Sequence, residues 1–252
     1  MIVNAEGIVL RQRKIANNRR MIVLFTRQYG KLSAGTSINE RSRSKSALAL
    51  RPFTHAEYDL FKGRESYSIN SAGVLDSYYS IGEDINRYMT AAAFLEYLEK
   101  VLDEGAAMPG LFKLSLDFLE SVSVVKSNAD TLLYAFIVKS LRMLGVMPEM
   151  GCCVNCGKDL EEIQLPRMFS VSSGGVICPD CADIENQGGS ALIYKPGFDI
   201  INVMRFFESK PLKAFEKIEL KKEDAKVVRE IIANYTECYL DVDVLRKSDG
   251  EG

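Results

Sequence analysis

Four of the six cysteines in this 252-residue chain fall into two pairs, Cys153-Val154-Asn155-Cys156 and Cys178-Pro179-Asp180-Cys181. Two thiolates three residues apart grip one ion where the chain turns tightly, and Gly157 after the first pair permits that turn. The pairs are separated by 21 residues, close to the usual range for four-cysteine sites. Four sulfurs satisfy a tetrahedral ion and leave no position for water, so the pattern predicts a structural Zn2+ rather than a catalytic one. Cys152 is an alternative to Cys153 as ligand, though its spacing is less usual. Cys238 lies on the apolar side of a late helical pattern and is expected in the core.

The rest of the sequence offers little for catalysis. There is one histidine, His55, which removes most zinc-hydrolase and Ser-His-Asp schemes. His55-Ala56-Glu57 matches half of a deaminase signature, but the Pro-Cys-x-x-Cys half is missing. Glu57 and Asp59 share a strand face and are read as solvated surface. No phosphate-binding Gly-x-x-x-x-Gly-Lys-Ser/Thr loop occurs. The expectation is a protein that is not an enzyme.

The elements that position these residues change character along the chain. Up to residue 80 the pattern is of short strands: Gly7 to Arg11, Arg20 to Thr26, Lys31 to Ser37, His55 to Phe61 and Tyr67 to Leu75. Five such strands separated by turns suit a small barrel. From Ile85 the period becomes helical, with helices ending at Gly105 and Gly145 and starting at Pro109 and near Asp130. Helical patterns resume at about 197 to 208 and 223 to 240. The predicted class is therefore a multidomain α+β protein: an N-terminal β-barrel (1–80), an α-helical domain (81–150 and 183–246) and a zinc module inserted in it (151–182).

Charge is distributed unevenly over this plan. The first 80 residues carry 13 Lys and Arg against 6 Asp and Glu, whereas the remaining 172 carry 19 against 28. A basic third on an otherwise acidic chain predicts a polyanionic partner. Arg13, Lys14, Arg19 and Arg20 cluster before and at the second strand, and Arg41, Arg43, Lys45 and Arg51 lie between the third and fourth. Aromatics interleave with them: Phe25, Tyr29, Phe53, Tyr58, Phe61 and Tyr67. A cationic groove with stacking side chains is the arrangement by which small barrels bind single strands. No charged and apolar leader opens the sequence, and no apolar run approaches ~18 residues. A cytoplasmic protein without a membrane partner is expected.

The order of basic barrel, helical domain and zinc insert after a Leu-Gly-x-x-Pro turn resembles the RecO family of bacterial recombination mediators over nearly the whole chain. The resemblance is carried by Glu6-Gly7-Ile8-Val9-Leu10, Leu24-Phe25-Thr26 with Gly30-Lys31, Lys45-Ser46 through Arg51-Pro52-Phe53, Leu144-Gly145-Val146-Met147-Pro148 and Gly174-Gly175-Val176-Ile177-Cys178. It implies an OB-fold that binds single- and double-stranded DNA, anneals complementary strands and helps load recombinase onto DNA coated by single-strand-binding protein. Implied partners are RecR and the acidic C-terminal tail of single-strand-binding protein. For that tail, Lys139 and Arg142 beside Leu141 and Leu144 are the expected site. Two other readings of the residues stay open: an RNA-binding OB protein with a structural zinc module, and a scaffold whose basic face binds an acidic protein.

Overall fold

The computed structural model describes the chain except residues 16–18, 40–43, 65, 128, 166, 190 and 246–252 and the side chain of Lys45. The chain divides into two compact units, Met1–Ala129 and Asp130–Gly252.

The first unit is built on a closed five-stranded barrel of strand order β1-β2-β3-β5-β4. Its strands are β1 (Ile2–Lys14), β2 (Arg20–Thr26), β3 (Gly30–Thr36), β4 (His55–Lys62) and β5 (Tyr67–Asp76). Pairing is antiparallel except where β3 meets β5 in parallel at Ala34↔Tyr67 and Gly35↔Ser68. That closure is the OB topology that the family resemblance implies. β1 is more than twice as long as expected because it serves two neighbours. Its first half pairs with β4 from Ile2↔Phe61 to Ile8↔His55, and its second half with β2, with an irregularity between Val9 and Arg11. A bulge there bends the strand around the barrel.

Alternation decides what enters the barrel. Val9, Ile22, Leu24, Tyr58, Leu60 and Ile69 belong to the buried core cluster. β2 reads as apolar on both faces because both are covered. Phe25 points outward, fully buried, and its ring meets that of Phe112 edge-on at 5.3 Å. Phe112 lies on α3 (Pro109–Val124), which follows α2 (Ile85–Val101). α2 opens on Asp84, whose Oδ1 accepts from the backbone N–H groups of Asn86 and Arg87 at 2.9 Å. Phe94 of α2 and Phe118 of α3 stack at 4.3 Å. The change of period falls at residue 80, but the compact unit runs to residue 129 because α2 and α3 pack on the barrel. Gly30 fixes that packing. Its φ is +65°, and a Cβ there would lie 2.1 Å from the Ala106 carbonyl oxygen in the link between the two helices.

The segment between β3 and β4, polar and basic in sequence, contains a one-turn helix, α1 (Lys45–Leu48), and then a plug for the barrel. Ala49 and Leu50 join the core cluster. Tyr58 donates its hydroxyl to the Ala49 carbonyl at 2.8 Å, and Ser46 donates to the Ala72 carbonyl at 3.0 Å.

The second unit contains α4 (Ala129–Met143), α5 (Pro179–Gln187), α6 (Ile200–Ser209) and α7 (Lys222–Leu240). α4 is apolar nearly all round and buries Leu132, Leu133, Phe136, Ile137 and Leu141. The buried stripe of α7 is Val228, Ile231, Ile232 and Tyr235. Cys238, expected in the core, is exposed, since it falls off that stripe. A small sheet of order β7-β6-β8 joins β6 (Met168–Ser170), β7 (Gly175–Ile177) and β8 (Ile193–Tyr194). Gly174, at φ +82°, makes the turn between β6 and β7. No described helix is long and apolar enough to cross a membrane.

Candidate metal centre and nucleic-acid interface

The cysteine pairs converge. The sulfurs of Cys153, Cys156, Cys178 and Cys181 all lie within 4.8 Å of one another, so the four can hold a metal ion. A tetrahedral ion with sulfur at about 2.3 Å sets its ligands roughly 3.8 Å apart, and the Cys156 and Cys178 sulfurs are 3.7 Å apart. All six cysteines are free thiols.

Local backbone geometry makes each half. In the first knuckle the Gly157 N–H donates to the Cys153 carbonyl at 2.9 Å and the Cys153 N–H to the Lys158 carbonyl at 2.8 Å. Cys152 instead bridges through its backbone to Asp159 and stays outside the cluster. The second pair is a helix start: Cys178 caps α5, Pro179 takes its first turn, and Cys181 follows inside it. The Val154 N–H donates to the Val176 carbonyl at 2.9 Å, tying the first knuckle to β7 just ahead of Cys178.

The donor set calls for a cation. A hydrogen bond with Cys178, and then burial, push the Cys181 thiol up, and burial pushes Cys178 up. Burial also raises Cys153, but backbone N–H groups of Cys178, Cys156 and Asn155 prevail and bring it to about 6. Four adjacent sulfurs do not ionise together unaided, and a divalent cation resolves that repulsion.

The expected nucleic-acid residues separate into groups. Arg13, Lys14, Arg19 and Arg51 are exposed. Arg13 and Lys14 end β1 opposite Met21 and Arg20 of β2. A Cβ on Gly35 of β3 would lie 3.7 Å from the Arg19 Nη2, so this guanidinium lies over the barrel wall. Arg20 is different, being only 5 % exposed. It donates to Gln12 Oε1 at 2.8 Å and to the Ile38 carbonyl at 2.9 Å. Arg41 and Arg43 lie outside the described residues, as does the side chain of Lys45. Of the interleaved aromatics, Phe25, Phe53 and Tyr58 are buried, whereas Phe61 is 48 % exposed and Lys62 sits over the Tyr67 ring at 5.7 Å.

Lys139 and Arg142 project from α4 to one acceptor residue at the end of α6. Lys139 donates to the Glu208 carbonyl at 2.6 Å, and Arg142 Nε to Glu208 Oε1 at 2.6 Å. Burial lowers the Lys139 ammonium from its ordinary value, and Glu208 opposes that. Arg142 and Glu208 also line a cleft of about 370 Å³ with Met147, Pro148, Met150 and Arg205. Arg205 carries no motif and was not legible as a neighbour of α4.

Comparison with known proteins divides the chain near residue 80, where the sequence changes period. Residues 1–78 match the family model described as Recombination protein O N terminal, and residues 82–249 the one described as Recombination protein O C terminal. A DNA repair protein RecO of Alkaliphilus metalliredigens is 28% identical over 241 residues, covering 96% of this chain and 95% of its own length. One of Thermoanaerobacter sp. is 27% identical over 247 residues, covering 98% and 96%. One of Symbiobacterium thermophilum is 31% identical over 191 residues, covering 76% and 75%.

Proposed function

The chain belongs to the RecO family of DNA repair proteins, and on that premise we propose that it is a recombination mediator without catalytic chemistry of its own. In this reading the barrel binds single- and double-stranded DNA through Arg13, Lys14, Arg19, Arg20 and Arg51, with Arg41, Arg43 and Lys45 in the same segment. Holding two strands by their phosphates lowers their mutual repulsion and lets complementary bases pair. The protein thereby anneals strands and helps load recombinase onto DNA coated by single-strand-binding protein, in the cytoplasm at the nucleoid. RecR and the acidic tail of single-strand-binding protein are its partners, the tail meeting Arg142 and Lys139 beside the cleft on α4. The observation that carries the reading is a closed OB barrel with exposed cations at the turn end of its first hairpin.

The metal in this reading is Zn2+. It holds the 151–182 segment to the helical elements around it, and four sulfur ligands leave no open position for chemistry. Residues 81–150 and 183–246 form the helical domain that carries it.

The decisive experiment is annealing of labelled complementary DNA coated with single-strand-binding protein. Labelled strands are required because the chain has no tryptophan. Acceleration is expected with DNA, and Arg142→Glu should weaken it only when the tail of the coating protein is present. Acceleration with RNA but not DNA would replace this reading with that of an RNA-binding protein.

A further inference from the structure

A second cleft, of about 950 Å³, opens where the barrel wall meets the connection into α2. Its size falls within the ~300–1,000 Å³ of small-ligand sites. Three tyrosines line it: Tyr78, Tyr79 and Tyr88, with Phe53 beside them. Phe53 and Tyr88 meet edge-on at 5.5 Å. Tyr79 is 74 % exposed and Tyr88 45 %, a large aromatic surface to leave in water. Phe53 and Tyr78 have φ of +62° and +41°, two of the three described non-glycine residues with left-handed backbone. Strain of that kind costs about 1–3 kcal/mol per residue and concentrates at ligand sites.

The opposite wall is cationic. Arg20 and Arg51 both line the cleft. Arg20 is buried, yet its recorded acceptors, Gln12 Oε1 and the Ile38 carbonyl, are neutral. No carboxylate pairs with it or with Arg51 among the described residues. A buried guanidinium without a counter-charge is costly, and its remaining N–H donors suit a bidentate phosphate. Polarity across the cleft fixes the orientation of a guest. On the tyrosine side, burial and then Asp76, Glu120 and Asp117 push the Tyr78 hydroxyl up to about 12, so that wall repels anions.

We propose that this cleft takes one unstacked nucleotide of a DNA single strand, its base against Tyr79 and Tyr88 and its phosphate on Arg20 and Arg51. The proposal rests on the DNA-binding reading above and extends the basic hairpin, through Arg20, into an aromatic cleft. It gives the protein a way to tell a single strand from a duplex, whose bases are stacked and paired. Stacking is tolerant of base identity, so the cleft would not read sequence.

The test uses the full chain with labelled oligothymidylate and with a sugar–phosphate backbone of the same length lacking bases. The double variant Tyr79→Ala, Tyr88→Ala should bind oligothymidylate about tenfold or more weakly, the scale of one lost base stack. Its affinity for the baseless backbone should be unchanged. Arg51→Ala should weaken both. Tyr88 also touches Phe53 edge-on, so a small drop in the thermal melt is expected, and the unchanged affinity for the baseless backbone shows that the variant is folded. Oligonucleotides carrying 5-iodouracil should photocrosslink to Tyr79 or Tyr88. Wild-type affinity of the tyrosine variant for oligothymidylate, or equal loss on both ligands, would overturn the cleft while leaving DNA binding intact. Absence of any DNA binding at low salt would overturn both readings.

Discussion

Arg20 and the four clustered cysteines illustrate opposite uses of a charged or ionisable side chain. Each cysteine sits within reach of three others, so its sulfur is useful only with an ion between them. Cys153→Ser should abolish zinc retention, read by metal release to a chromophoric chelator. The melting temperature should fall with it, by the binding energy forfeited, about 4 kcal/mol where the ion is held a thousandfold above its dissociation constant. DNA affinity of the folded variant should stay within about twofold, because none of the DNA-contacting candidates lies in the second compact unit. The cysteine cluster was legible because its pairing is encoded in local spacing. Arg20 was legible as a cation but not as a buried one. Its neighbours Arg19 and Met21 give no hint that Gln12 and Ile38 close over it, since those contacts come from other turns of the barrel.

Strands and helices were legible wherever one face is wet and one dry. His55 to Lys62 alternates between buried and accessible positions as its sequence does. The same signal fails where both faces are covered, and it says nothing of what covers them. Phe25 on the outer face of β2 reads like an inward residue, and only Phe112 of α3 explains it. The α1 segment reads as a loop because serines and cations dominate it, while Ala49 and Leu50, two small steps beyond, fill the barrel end. α5 was also missed, although Pro179 at its first turn was a usable signal. The plug yields a test at this scale. Tyr58→Phe keeps the ring in the core and leaves the Ala49 carbonyl without its donor. Stability should drop by about 1–3 kcal/mol, measured by urea unfolding. Protection of residues 46–50 against hydrogen exchange should fall before that of the strands.

At the scale of the whole molecule, charge segregation matters more than net charge. The chain carries a formal net charge of −2, yet its basic excess is confined to the first 80 residues. A uniformly acidic protein would be repelled by DNA, whereas this one should approach barrel first. If about three to five cations engage phosphates, log K for a single strand should fall with log salt at a slope of roughly −2 to −3.5. Titration of binding against sodium chloride measures that slope, and Arg51→Ala should reduce its magnitude by about 0.7.

The close approach of Gly30 to Ala106 bears on how the molecule can be handled. A turn between two antiparallel strands is ordinarily the place in a barrel where length varies freely and where a fluorophore, an affinity tag or an inserted peptide does least harm. Here the turn at Gln28–Gly30 is a fitted joint, with the Gly105 N–H donating to the Lys31 carbonyl at 2.9 Å immediately beside it. Probes for following this protein on DNA belong instead at exposed Gly197, where an added Cβ meets nothing within 4 Å.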